Sequence, residues 1–378
     1  MKRVYLDNAA TTPMDPKVLE AMMPYMIDHF GNPSSTHTFG RQTKAAIVTA
    51  RKTVAKYLNC NQSEIIFTSG GTEADNMAIN CSVRDLGVTH IITSPLEHHA
   101  VLHTAEHVCE KTVRLSLVNI NKDGSVDLDH LESLLQTDDK TLVSLMHGNN
   151  EIGNLLPLDK VSKLCRSYNA YFHSDTVQTM AHYKFDMEEI DIDFITCAAH
   201  KFHGPKGVGF LYVNKNLDMG AMIYGGAQES KKRGGTENLY GIVGLAKAME
   251  IANENLEAHQ KHVSGLKQYM KQSLIDMIPG VQFHGDSTPA GLYTVLNVCF
   301  PHTEKGGMLL FSLDINGIAA SGGSACSSGS NKGSHVLQGI QADTSRPNAR
   351  FSFSHFTTKE EIDYALEVVQ QVYEVALV

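Results

Sequence analysis

Short apolar runs rich in β-branched and aromatic residues alternate along the chain with longer segments whose apolar positions recur at a helical period. "EIIFTS" precedes "TEADNMAINCSVRDL", "THIITS" precedes "HHAVLHTAEHVCEK", and "TLVSLMH" precedes "LDKVSKLCRSYN"; "AYFHSD", "DFITCAAH" and "GVGFLYV" follow. That order predicts repeated strand–helix units, hence a mainly parallel sheet covered by helices, with functional residues gathered at strand ends. From Asn238 to Asp276 the pattern is polar and helical. Leu245, Met249, Ile251, Leu256, Leu266 and Met270 recur on its apolar face, which predicts a long helix or a helix pair linking two lobes. "TVLNVCF", "GGMLLFSLDING", "ARFSFSHF" and the helical "TKEEIDYALEVVQQVYEVAL" then describe a smaller α+β lobe. No internal repeat interrupts this order, and the one Gly/Ser-dense stretch is "SGGSACSSGS" at 321–330.

Composition bounds the reading. With 378 residues, 42% of them hydrophobic and 19% charged, the chain can bury one large core and a second, smaller one. A net charge of -9 disfavours general affinity for nucleic acid or anionic membrane. The start, "MKRVYLDNAATTPMDP", lacks the apolar core of a signal peptide, and no apolar run approaches the roughly 20 residues of a bilayer span, so the expected location is the cytoplasm. Seven scattered cysteines (Cys60, Cys81, Cys109, Cys165, Cys197, Cys299, Cys326) without a C-x-x-C pair suggest neither a disulfide framework nor a zinc site.

Several strings carry chemistry. In "FTSGGTEADN", Gly70, Gly71 and Thr72 lie between a strand and a helix, where backbone N–H groups and the positive helix end can hold a phosphate; an ordinary Gly turn with a Thr cap is the alternative. Lys201 in "CAAHKFHGPKGVGF" lies just past an apolar strand, flanked by His200 and His203. Desolvated there, it could form a Schiff base with a carbonyl cofactor; Lys206 is its rival, and a solvated loop lysine the plain alternative. Asp175 ends the strand of "FHSDTVQ", where a carboxylate needs a cation such as the ring nitrogen of pyridoxal phosphate, unless it merely caps the next turn. In "PLEHHAVLHTAEH" the fourfold spacing of His99, His103 and His107 resembles metal ligands on one helical face, but no Cys or Asp completes a set and no metal site is expected. His98, at the strand-to-helix junction, is better placed to meet a ligand. "HGNNEIG" offers Asn150, and "RFSFSHF" offers Arg350, the natural clamp for a carboxylate.

Together these strings resemble the cysteine desulfurases of the NifS/IscS type, in the class V group of fold-type I pyridoxal-phosphate enzymes. The match runs through "YLDNAATT", "FGNPSSTH", "FTSGGTEADN", "EHHA", "NNEIG", "HSDTVQ", "AHKFHGPKG", "GGAQE", "RGGTEN", "GSACSS" and "RFS". The resemblance implies a large cofactor-binding domain over 15–255 with a mainly parallel seven-stranded sheet. Residues 1–14 and 256–378 would form the smaller α+β domain, bearing a mobile cysteine loop at about 321–335. It makes Lys201 the Schiff-base lysine, Asp175 the partner of the pyridine nitrogen and Gln178 that of the ring hydroxyl. His98 would stack on the ring and shuttle protons, while Gly71, Thr72 and His200 hold the phosphate. Thr236 would reach the phosphate of a neighbouring subunit, which implies a homodimer, and Asn150 and Arg350 would bind the substrate carboxylate.

Cys326 would be the nucleophile, forming a persulfide from L-cysteine and leaving L-alanine, with a protein sulfur acceptor such as an iron–sulfur scaffold as partner. Glycines and serines around it supply the freedom that such a thiol needs. Where the family usually has a phosphate-binding serine this chain has Ala198, and the loss of one charged-acceptor hydrogen bond should weaken cofactor retention by roughly 1.5–3 kcal/mol. A class V aminotransferase or selenocysteine lyase would share fold and cofactor but explains "GSACSS" less well; a catalytically silent, sulfur-binding or scaffold homologue would make Ala198 a sign of decay, and intact Lys201, Asp175 and His98 argue against it.

Overall fold

The computed structural model describes residues 2–110, 113–303, 306–322 and 333–374. It begins with β1 (Val4–Tyr5) and the helices α1 (Pro16–Ile27) and α2 (Thr38–Leu58). Asp15 starts α1 by accepting the Lys17 N–H at 2.7 Å, just ahead of a proline suited to the first turn. Strands and helices then alternate: β2 (Ile65–Thr68), α3 (Gly71–Arg84), β3 (His90–Thr93), α4 (His99–Val108), β4 (Arg114–Leu117), α5 (Leu128–Leu135), β5 (Thr141–Ser144), α6 (Leu158–Ser167), β6 (Tyr171–Asp175), β7 (Phe194–Ala198) and β8 (Gly209–Val213). The expected helix pair is α7 (Leu239–Glu254) and α8 (Leu256–Met277), broken at Asn255. After it come β9 (Gln282–His284), β10 (Val295–Cys299), α9 (Leu309–Ile315), β11 (Ile318–Ala319), α10 (His335–Gly339), β12 (Asn348–Ser352) and α11 (Lys359–Glu374).

The large sheet has seven strands in the order β2-β8-β7-β6-β5-β3-β4. Strands β3 to β7 pair in parallel, while β8 runs antiparallel to both neighbours. Every residue of β2, β3, β5, β7 and β8 is buried, which is why these strands read as unbroken apolar runs. Edge strand β4 is half exposed and lacks that signal. One core packs α2, α6 and α7 on one face through Val54, Val161, Phe172, Ile195, Phe210 and Leu245; another packs α3 and α4 on the opposite face through Met77, Val101, Leu142 and Leu211.

A second lobe surrounds the antiparallel sheet β12-β10-β9, with a core drawn from Leu266, Met270, Val298, Phe300, Phe351 and Val369. Val4 and Leu6 belong to this core because β1 pairs in parallel with β11. The chain therefore passes from the small lobe into the large one through residues 7–15, directly across the ends of β6 and β7. Among the described residues no helix is long and apolar enough to cross a membrane.

Candidate active site

The turns that follow β3, β5, β6 and β7 meet the N-terminus of α3 and the crossing segment Ala9–Ala10 around a cleft of about 260 Å³. Its walls include Gly71, Thr72, His98, Asn150, Asp175, Gln178, His200, Lys201 and Arg350. The structure thus gathers all the expected cofactor and substrate residues of one chain, apart from Thr236, at a single place. Lys206 is exposed and lies outside the lining.

Lys201 ends the short 3₁₀ turn after β7, and its Nζ donates to the carbonyl oxygens of Ala9 at 2.6 Å and Ala10 at 2.9 Å. His98 is the N-cap of α4: its Nδ1 accepts the Ala100 N–H at 3.1 Å, so the neutral ring carries its proton on Nε2. Burial, then the nearby Lys201 charge, lower the His98 pKa to about 4. His200 places Nδ1 3.1 Å from Thr11 Oγ1, and Gln178 Nε2 donates to the Ala9 carbonyl at 3.0 Å.

Asp175 both caps a turn and faces the cleft, for its Oδ1 accepts the Val177 N–H at 2.8 Å. Burial, followed by repulsion from Asp75, raises its pKa to about 7. A cation in the cleft would restore the ionised form. Asp75 in turn lies against a buried chain of polar groups: Ser144 Oγ to His173 Nδ1 at 2.8 Å and His173 Nε2 to Thr196 Oγ1 at 3.1 Å. Arg350 is fully buried, donating from Nη1 to the Asn150 carbonyl at 2.8 Å and from Nη2 to Asp7 Oδ1 at 2.8 Å, while its Nε has no partner among the described residues.

These features fit pyridoxal phosphate. At the head of α3, Gly70 supplies no side-chain cap, contrary to the reading of Thr72 as a cap, so first-turn N–H groups remain for an anion. A Cβ on Gly71 would come within 2.8 Å of Val177 Cγ2 and 3.7 Å of the Ala198 methyl, so a side chain at 71 would force Val177 to shift, and residue 198 stands beside the same helix end. A desolvated carboxylate, a lysine and a buried arginine with a free donor complete the set of groups that a cationic ring, an aldehyde and a substrate carboxylate need.

Other expected residues lie elsewhere. Thr236 borders a separate hollow with Gly207, Arg233 and Asn238. Cys326 lies outside the described residues. On α4, His99 and His103 stack with ring centroids 4.6 Å apart and His107 lies 3.7 Å from Glu110, so the three rings do not converge on a point. Residues that the sequence reading passed over also line the cleft: Ala9, Ala10, Asp75 and Met146. "YLDNAATT" held the first two in plain view, but they act through carbonyl oxygens, which a search for reactive side chains does not register.

The model of the family described as "Aminotransferase class-V" matches residues 4–365. A cysteine desulfurase IscS of Dictyoglomus turgidum is 42% identical over 99% of this chain and 95% of its own length. One from Methanosarcina thermophila is 42% identical over 98% of this chain and 92% of its own. Among solved structures, a NifS-like protein superimposes with a TM-score of 0.91 at 35% identity, covering 99% of this chain and all of that one. Fold, cleft and full-length similarity agree, and the chain belongs to the class-V aminotransferase family, among its cysteine desulfurases.

Proposed function

We propose that the protein uses pyridoxal phosphate to take sulfur from L-cysteine, releasing L-alanine and leaving a persulfide on Cys326. The observation that carries this reading is the convergence of Lys201, Asp175, His98 and Arg350 on one cleft, joined by full-length similarity to cysteine desulfurases. When bound, the cofactor supplies a carbonyl for covalent attachment of an amine and an electron sink for cleavage at the substrate carbons.

The placement of the chain's own groups supports the roles that the family resemblance implies. Gly71 and Thr72 hold the phosphate at the head of α3, with His200 beside them. Asp175 would keep the ring nitrogen protonated, and Gln178 would orient the ring hydroxyl. Lys201 Nζ would hold the aldehyde, and as a free amine it would take the substrate's Cα proton. His98 would stack against the ring and hold its Nε2–H toward the three-carbon fragment as the proton donor to it. Arg350 and Asn150 bind the substrate carboxylate. Cys326 thiolate attacks the substrate sulfur: an S–S bond forms, the C–S bond breaks, and its electron pair stays with the carbon that is then protonated.

The assembly is a homodimer in this reading. Thr236 stands apart from its own cleft, which suits a contact to a partner's phosphate. Leu19, Met23, Met26 and Ile27 form an exposed apolar face along α1 of the kind that a second subunit covers. The domains divide as 15–255 against 1–14 with 256–378, the location is the cytoplasm, and the persulfide passes to a protein acceptor such as an iron–sulfur scaffold. Cys326→Ser tests the assignment: the cofactor's colour should persist while persulfide formation from cysteine stops. Persulfide formation at the wild-type rate would overturn it.

A further inference from the structure

Two described strands of chain flank the segment that bears Cys326, and both are tied to the wall of the cleft. Ser321, five residues before Cys326, forms a backbone bridge with Arg350, whose N–H donates to its carbonyl at 2.6 Å. Ser334, eight residues after Cys326, donates from Oγ to Glu151 Oε2 at 2.5 Å. His335 Nε2 lies 2.9 Å from the Glu97 carbonyl, and its ring packs 4.5 Å from that of His99. Val336 and Leu337 are buried against Leu96 and Ile152. Each of these partners neighbours a cleft residue in sequence: Glu97 and Leu96 precede His98, and Glu151 follows Asn150.

Glu151 is an expensive residue for mere packing. It is 1% exposed, its Oε1 has no partner among the described residues, and burial raises its pKa. Its backbone is held from three sides: Asn149 Oδ1 accepts its N–H at 2.9 Å, Asn297 Nδ2 donates to its carbonyl at 3.0 Å, and Arg350 Nη1 grips the preceding carbonyl. The carboxyl is therefore fixed to the same turn that presents Asn150.

We propose that Glu151 and Ser334 form a mooring that fixes the C-terminal root of the Cys326 segment to the Asn150 turn, and so acts as a positioning pair for sulfur transfer. The inference rests on Cys326 as nucleophile. Eight residues span at most roughly 28 Å, so the root's position limits where the thiol can go. A misplaced reactant slows a step without changing the groups that perform it.

Ser334 Oγ also accepts the Leu337 N–H at 3.1 Å as the cap of α10, so the test must separate capping from mooring. Single-turnover persulfide formation on the holoenzyme would be measured together with the cofactor's absorbance change on adding cysteine. Ser334→Ala and Ser334→Gly should both slow persulfide formation roughly ten- to a hundredfold while the absorbance change keeps its rate, because Gly is tolerated at a helix N-cap yet makes no bond to Glu151. Ser334→Thr and Glu151→Gln, which keep the hydrogen bond, should restore it. Wild-type speed in Ser334→Gly would reduce the serine to a cap, and wild-type speed in Ser334→Ala would remove the mooring; either overturns the proposal. A Cys326→Ser protein that still formed persulfide would instead overturn the nucleophile.

Discussion

Two cavities lie on either side of the turn at Lys201, and both are lined by buried ionisable groups. One is the cleft of about 260 Å³. The other, about 20 Å³, is enclosed by His182, His203, His259 and His355 with Asp15 and Tyr293. In the second the groups are mostly histidines that contact one another or nearby backbone. His259 and His355 stack at 4.1 Å, His203 Nδ1 lies 2.8 Å from the Pro13 carbonyl, and His182 bridges Tyr293 Oη at 2.8 Å and the Lys201 carbonyl at 3.2 Å. His203 Nε2 is buried without a hydrogen-bond partner among the described residues, and the remaining space has room for about one water. The cleft instead sets groups of opposite charge around a volume that none of them fills. Burial shifts pKa values in both places, so a shifted pKa marks desolvation, and mixed charge around open space marks the site.

The sharpest way to break this contrast is Lys201→Ala. Persulfide formation should fall on the order of 10³-fold or more, since the remaining groups act through that amine. Stopped-flow turnover checks it; near-normal activity would make the cleft's lysine dispensable. Next, Asp175→Asn should slow turnover roughly 10²-fold, because a neutral amide does not hold the ring proton. The same change should raise the Tm of the cofactor-free protein, as a carboxylate driven to about pKa 7 by burial no longer opposes folding at alkaline pH. A fall in that Tm would show that Asp175 is a structural asset.

Smaller effects sharpen the comparison. Ala198→Ser should tighten cofactor retention roughly tenfold in equilibrium dialysis, by returning a hydroxyl beside the head of α3. In the histidine cavity, burial lowers the pKa of His182 and His203 to about 4 and that of His355 to about 3. Their folded values lie below the unfolded value near 6.5, so stability is full above about pH 6.5 and is lost as pH falls toward 4. The raised carboxyls of Asp75 and Asp175 act in the opposite sense over the same window. His355→Phe, which keeps a ring to stack, should lessen the acid loss by roughly 2–4 °C in Tm at about pH 5 while leaving turnover at neutral pH unchanged.

Much of this was legible beforehand, for a physical reason. Strands β2, β3 and β5 to β8 are buried on both faces, so they appear as apolar runs, and side chains that reach the cleft stand at their ends. β4, half exposed at the sheet edge, left no such trace. Helices α1 and α2, with mixed polar positions and an exposed apolar face, were not singled out. Lys201, Asp175 and His98 were visible as reactive groups in apolar surroundings. Ala9 and Ala10 were not, because a carbonyl oxygen has no identity in a sequence. Asp75 lay inside "TEADN" as one of two acids at a helix start, and its burial beside Asp175 depends on how α3 packs over β6, which local pattern does not encode.

The central claim is that Lys201 holds the cofactor in the cleft. Borohydride reduction of the yellow holoenzyme, followed by peptide mapping, tests it most directly. The pyridoxyl group should be found on the peptide containing Lys201, and on no other lysine in comparable yield. Recovery on Lys206, or a protein that stays colourless when supplied with pyridoxal phosphate, would contradict the account.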